Sequence, residues 1–248
     1  DSRVLWHAQG DDDADIPNAI ALTIDDVPRM GMKASNVLEL MRLLAQRNAR
    51  ATFFVFFDRL NPSANDYNYN AMVNTFVREV KLGGHEVGLH FPGRWGQQMS
   101  LTELRWRTEQ SLQIARQRFG LRVRFVRMPG GFSTPAQVTL LESYGLTVVN
   151  GTAYPGDADV CSCLSAMALG RCAARLANAD GRIVIFHDDK RLIAKLASFL
   201  TQLRAQGKHA MTLSDVLGPP RMSLKEALRV TDEPRGDTTA MAPLFVPL

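Results

Sequence analysis

Seven short β-rich runs alternate with longer amphipathic stretches along this chain, and that alternation restricts the fold more than any other feature. AIALTID (19–25) precedes a helical stretch over about 33–48, and ATFFVFF (51–57) precedes one over about 68–82. HEVGLH (85–90) leads through a loop into a helix over about 100–119, and VRFVRMP (123–129) precedes TPAQVTLLESYG. LTVVNGT (146–152) precedes a stretch over about 164–178, GRIVIFHD (181–188) precedes one over about 190–206, and HAMTL (209–213) ends the series. Such alternation specifies parallel strands joined by crossover helices. An open doubly wound sheet and a barrel both satisfy it, and the polar residues choose between them. Asp25 and Asp26 end the first run, His90 the third and Arg127 the fourth; Tyr154 and Asp157 follow the fifth, and His187 and Asp188 end the sixth. An open sheet gathers such residues only at its switch point, whereas a barrel brings every strand end to one mouth. The expectation is an α/β fold, a (β/α) barrel of about seven parallel strands, incompletely closed.

Two flanks fall outside that barrel. Residues 1–18 form a lead-in whose acid run, GDDDAD, reads as solvated rather than as a calcium site, and residues 218–248 form a tail with little periodicity. The 248 residues, 46% of them hydrophobic, suffice to bury a sizeable core. The net charge of +4 arises from basic residues scattered among acids, which argues against a nucleic-acid partner. The most basic stretch, residues 105–124, carries its arginines at helical spacing and reads as a solvated helix face. No apolar run approaches the roughly 18 residues that a membrane span needs. Cys161, Cys163 and Cys172 share one short segment; one disulfide plus a free thiol fits secretion, and three reduced thiols fit the cytosol. A secreted or cell-surface protein is expected, with a cytoplasmic one as the alternative.

Three segments carry candidate chemistry. LTIDDVP (22–28) sets two adjacent carboxylates at a strand end, where their repulsion calls for a cation or a proton. One can hold a metal while the other acts as a general base; the competing reading is an Asp pair capping the next helix. VIFHD (184–188) places His187 at another strand end, and histidine is the commonest general acid or base. RFVRMPGG (124–131) places Arg127 at a third, where a guanidinium can steady an aspartate. In GLHFPGRW (88–95), His90 is followed four residues later by Arg94, whose guanidinium has no lone pair for a metal.

LTIDDVP, GHEVGLH, RMPGG, YPGD and IVIFHD resemble, in order and spacing, the five signature segments of the polysaccharide deacetylase family, carbohydrate esterase family 4. The resemblance covers about residues 19–217, and the wording of TIDD and YPGD is closest to the chitin-deacetylase-like branch. It implies a distorted (β/α) barrel and removal of acetyl groups from an N-acetylglucosamine polymer. The reaction would use a divalent metal, zinc by expectation, held by one Asp and two His. By the same resemblance Asp25 is the catalytic base, Asp26 and His90 are metal ligands and Arg127 steadies the base. His187 is the general acid and Asp157 orients it.

The departure is Arg94, which stands where the second metal histidine belongs and leaves an incomplete site. Asp58 and His7 are the candidate replacements, while His85 and His209 open their strands and belong to the wrong end of the barrel. Two other readings remain open. One is a metal-independent amidohydrolase in which Arg94 grips a substrate carboxylate or imide oxygen. The other is a silent carbohydrate-binding protein; Phe91, Trp95 and Tyr154 would supply stacking surfaces for it or for the deacetylase.

Overall fold

The computed structural model describes residues 4, 18–29, 31–33, 35–60, 66–93, 96–151, 183–189 and 191–218. These lie within the unit Asp1–Gly218. Its strands are β1 (Ala19–Val27), β2 (Thr52–Val55), β3 (Glu86–His90), β4 (Phe125–Arg127), β5 (Thr147–Val148), β6 (Ile183–His187) and β7 (His209–Met211). The helices are α1 (Val37–Gln46), α2 (Tyr67–Leu82), α3 (Leu101–Gln113), α4 (Pro135–Glu142), α5 (Leu192–Ala205) and α6 (Leu213–Leu217). The end of the expected 100–119 helix is a π-helical turn, Ile114–Arg118. The expected helix over 164–178, the three cysteines, His7, Arg94, Trp95, Tyr154 and Asp157 lie outside the described residues.

All strand pairs are parallel, in the order β5-β4-β3-β2-β1-β6. Among the described residues β5 and β6 do not pair. β7 does not extend the β6 side. Ala21 pairs with Ile183 of β6 and with Met211 of β7, which places β7 on the opposite flank of β1. There the Arg50 N–H donates to the Ala210 carbonyl at 2.9 Å, so β7 wedges between the starts of β1 and β2.

Period-two alternation sorts the strand residues onto two faces. On β1, Ile20, Leu22 and Ile24 pack outward into the helical layer with Leu40, Leu44, Leu196 and Phe199. Ala19 and Ala21 face the concave side with Phe54, Phe125, Val149 and Ile183. The small alanines make room for the two phenylalanine rings, and so does Gly88, where an added Cβ would lie 2.6 Å from Phe54. Leu213 and Val216 of α6 complete this inner cluster and plug the N-terminal end of the barrel. The plug is tied down by polar contacts: the Leu213 N–H donates to Thr52 Oγ1 at 2.9 Å, and the Ser214 N–H to Glu86 Oε2 at 3.2 Å.

His85 sits at that same N-terminal end, as its strand position implied. Its Nδ1 accepts from the Ala51 N–H at 3.2 Å and its ring meets Phe53 edge-on. Burial, reinforced by the charge of Arg50 and opposed by Glu79, pushes its pKa down to about 4 from 6.5. The folded protein therefore holds His85 neutral at pH values where the unfolded chain has already protonated it. Stability from this residue is present above about pH 6.5 and is lost as pH falls through 4, a change of up to about 3 kcal/mol. Urea titrations of wild type and His85→Gln at pH 7 and pH 4.5 should show a shallower acid loss in the variant. Equal losses would contradict this assignment.

Candidate active site

Continuing inward from Ala19 and Ala21, alternation puts Thr23 and Asp25 on the concave side and would turn Asp26 away. The backbone prevents that. The β1–β2 register slips between Ile24 and Val27, and Asp26 adopts a left-handed conformation with φ of 62°. This bulge brings a second carboxylate to the mouth. An L-residue pays roughly 1–2 kcal/mol for such a backbone, less for Asp than for most.

Asp25 is 4% exposed and its Oδ1 accepts from Arg127 Nη1–H at 2.6 Å. Arg127, 2% exposed, is fixed on every side. Nη1 also donates to Thr23 Oγ1 at 2.7 Å, Nε donates to the Val149 carbonyl at 3.1 Å, and Nη2 to the Asn150 carbonyl at 3.4 Å. The guanidinium carbon lies 4.2 Å from the centre of the Phe54 ring. His187 is the register partner of Asp25 on the adjacent strand, with backbones about 4.8 Å apart.

His90 is the register partner of Arg127, and its Nδ1 lies 2.6 Å from the Arg127 carbonyl. A carbonyl only accepts, so Nδ1 carries a hydrogen and Nε2 is the ring nitrogen left facing the mouth. Nε2 faces Asp26 Oδ1 at 3.5 Å. A lone pair opposite a carboxylate is repulsive unless a proton or a cation lies between them. Phe56 stacks on the His90 ring at 5.2 Å, and the Arg59 guanidinium covers Phe56 at 4.1 Å. Burial raises the Asp26 pKa, but the hydrogen bond and charge of His90, then the charges of His187 and Arg29, hold it below the ordinary carboxylate range.

Asp58 lies at the end of β2, exposed, and its Oδ1 accepts from the Arg59 N–H of its own turn at 3.0 Å. Among the described residues no three His, Cys, Asp or Glu side chains are grouped to hold a metal, so Asp58 does not complete a set with Asp26 and His90. His209 is exposed at the start of β7, far from the mouth along the strand direction. Phe91 is 2% exposed and belongs to the outer core, so the stacking surface expected of it does not exist. The alternation that turns His90 inward turns the next residue outward.

Two residues at this mouth escaped sequence reasoning. Phe132, 49% exposed, follows the Pro129–Gly131 turn at the end of β4; its place directly after RMPGG was the available signal. Asp188 ends the sixth run, and spacing alone assigns it no role. Its buried carboxyl is pushed above its ordinary pKa by burial, against hydrogen bonds from Ser35, Arg29 and Asn36.

The family model for polysaccharide deacetylase matches residues 12–149. The chain belongs to the polysaccharide deacetylase family. No curated protein matches it. Among solved structures, a pseudoenzyme of carbohydrate esterase family 4 from Bacillus anthracis is 17% identical, with a TM-score of 0.66 over 88% of this chain and 69% of that one. A mutant of that pseudoenzyme with restored enzymatic activity aligns with the same TM-score at 18% identity, over 88% of this chain and 72% of that one. A family 4 carbohydrate esterase from Streptomyces lividans, in complex with acetate, is 20% identical, with a TM-score of 0.65 over 80% of this chain and 94% of that one. These likenesses establish a polysaccharide deacetylase fold, a (β/α) barrel. Family members generally use a divalent metal. Asp26 and His90 fit one by donor type and by the Arg127 carbonyl behind His90, an outer-shell partner typical of ligating histidines. They are two donors where catalytic zinc sites use three.

Proposed function

We propose that this polysaccharide deacetylase relative is a hydrolase that removes acetyl groups from a chitin-like polymer containing N-acetylglucosamine. The observation that carries the reading is the Asp25 carboxylate locked by Arg127 directly across from His187 on the neighbouring strand. Asp25 takes a proton from the attacking water, and Arg127 keeps the carboxylate aimed while Thr23 and two backbone carbonyls keep Arg127 in place. His187, partly exposed at the mouth, protonates the departing amine of the sugar. Asp157 is assigned to orient His187 through the family resemblance alone. Asp26 and His90 would hold the divalent metal, zinc in this reading, which when bound would polarise the acetyl carbonyl. A secreted or cell-surface location, with residues 218–248 as a separate tail, belongs to the same proposal.

Release of acetate from N-acetylated chitooligosaccharides, with and without added zinc, tests the reading directly. No release under either condition rejects it. A silent carbohydrate-binding protein is the second reading, and it is favoured by the absence, among the described residues, of a third donor grouped with Asp26 and His90.

Arg94→His tests the metal assignment. The variant supplies the third donor of the family pattern and removes a fixed positive charge. Its zinc affinity, read by competition with a chromophoric chelator, should rise on the order of tenfold or more, with a parallel rise in acetate release. Zinc affinity that stays unmeasurable in the variant would show that Asp26 and His90 are not a metal pair.

A further inference from the structure

Asp188 takes no part in the chemistry just described, yet it is 1% exposed and heavily bonded. Its Oδ2 accepts from the Arg29 N–H at 3.0 Å and from the Ser35 hydroxyl, and its Oδ1 accepts from the Asn36 N–H at 2.9 Å. Beside it, Asn36 Nδ2–H donates to the Asp189 carbonyl at 2.7 Å. The Asp188 backbone N–H donates in turn to the Asp25 carbonyl at 3.0 Å. No Lys or Arg side chain pairs with this carboxylate among the described residues. Two backbone amides and a hydroxyl satisfy it instead, from both ends of the segment between β1 and α1.

The positions of these bonds matter more than their number. One residue at the end of β6 grips the chain at Asp25, immediately before the left-handed turn, and again at Arg29, three residues after Asp26. Between the two grips lies a backbone that a non-glycine residue holds only when its surroundings over-determine it. The Phe56 N–H supplies one further bond, to the Val27 carbonyl at 2.7 Å. Released from Asp188, the turn can relax toward ordinary strand geometry, and that rotation carries the Asp26 carboxylate away from His90 Nε2.

We propose that Asp188 is a positioning residue that holds the left-handed turn at Asp26, keeping its carboxylate against His90 and Asp25 opposite His187. The proposal leans on the hydrolase reading for its kinetic test only. Its spectroscopic test stands without that reading.

Asp188→Asn preserves shape but replaces one accepting oxygen with an NH2 group, which faces either the Asn36 N–H or the Arg29 and Ser35 donors. With 15N-labelled histidine, at fixed pH and without added metal, the His90 Nε2 resonance should move from its wild-type position. Nδ1, held by the Arg127 carbonyl, should stay. Turnover should fall about tenfold or more in kcat with KM within about twofold, as expected for misplaced rather than missing groups. Circular dichroism shows whether the variant is folded. If it is not, Ser35→Ala, which removes one of three donors, should move the same resonance in the same direction by less. An unmoved His90 Nε2 in the folded variant, or in Ser35→Ala where that is the folded one, overturns the proposal whatever the turnover. If wild type itself releases no acetate, the hydrolase reading fails and the resonance alone decides the role of Asp188.

Discussion

Asp25→Asn should lower turnover of an N-acetylated chitooligosaccharide by about 10²–10⁴-fold, and His187→Ala by a comparable factor. Asparagine has the shape of aspartate and still accepts from Arg127 Nη1–H at the position now 2.6 Å away, but it leaves the buried guanidinium without its counter-charge, so turnover is compared only where circular dichroism shows the variant folded. What it loses is the capacity to take a proton from water. Substrate contacts elsewhere at the mouth are untouched, so the loss should fall on kcat with KM nearly constant. The double variant should lose little more than either single one, because base and acid serve one reaction in sequence. Acetate release under single-turnover conditions measures all of this. Full activity in either single variant would move the chemistry to other residues.

Arg127→Ala should have the largest effect on stability, about 3–5 kcal/mol, the range seen when one partner of a buried ion pair is removed. The substitution strands the Asp25 carboxylate at 4% exposure and leaves the Val149 and Asn150 carbonyls without the donors that now reach them. Stranded charge, not lost packing, is the dominant cost in this account. Asp25→Ala combined with Arg127→Ala should therefore be clearly less unstable than the sum of the two single variants. Urea midpoints for the four proteins give the coupling. Additive losses would mean that the two side chains stabilise the fold independently, against the geometry of their 2.6 Å contact.

The seven strands were legible because each is a β-rich run cut off by turn residues, and parallel pairing follows from the helices between them. Legible too was the mouth, since side chains at strand ends have only one place to gather. Strand pairing was not. Nothing in HAMTL announces that His209–Met211 wedges against β1 rather than following β6, because local sequence does not encode which neighbour a strand meets. The π-helical turn at Ile114–Arg118 was hidden for a related reason: its residues keep an ordinary helical pattern. Phe91 packs into the outer core, as alternation from His90 dictates and against its expected stacking role. Asp26 is the opposite case, where alternation gives the wrong answer and only the backbone φ of 62° explains the side chain's direction. The grip of Asp188 on Arg29, Ser35 and Asn36 joins residues more than 150 positions apart, and no spacing rule reaches that far.

Arg127 touches both halves of the mouth by different means. Its side chain holds Asp25, and its backbone carbonyl holds His90. The carbonyl is present whatever side chain the position carries, and neither hold passes through residue 94. A change at residue 94 therefore leaves the Asp25–Arg127 contact and the His90–Arg127 contact to bonds among other residues. In a barrel built this way the donor set at the mouth can change at one position while both holds on Asp25 and His90 persist.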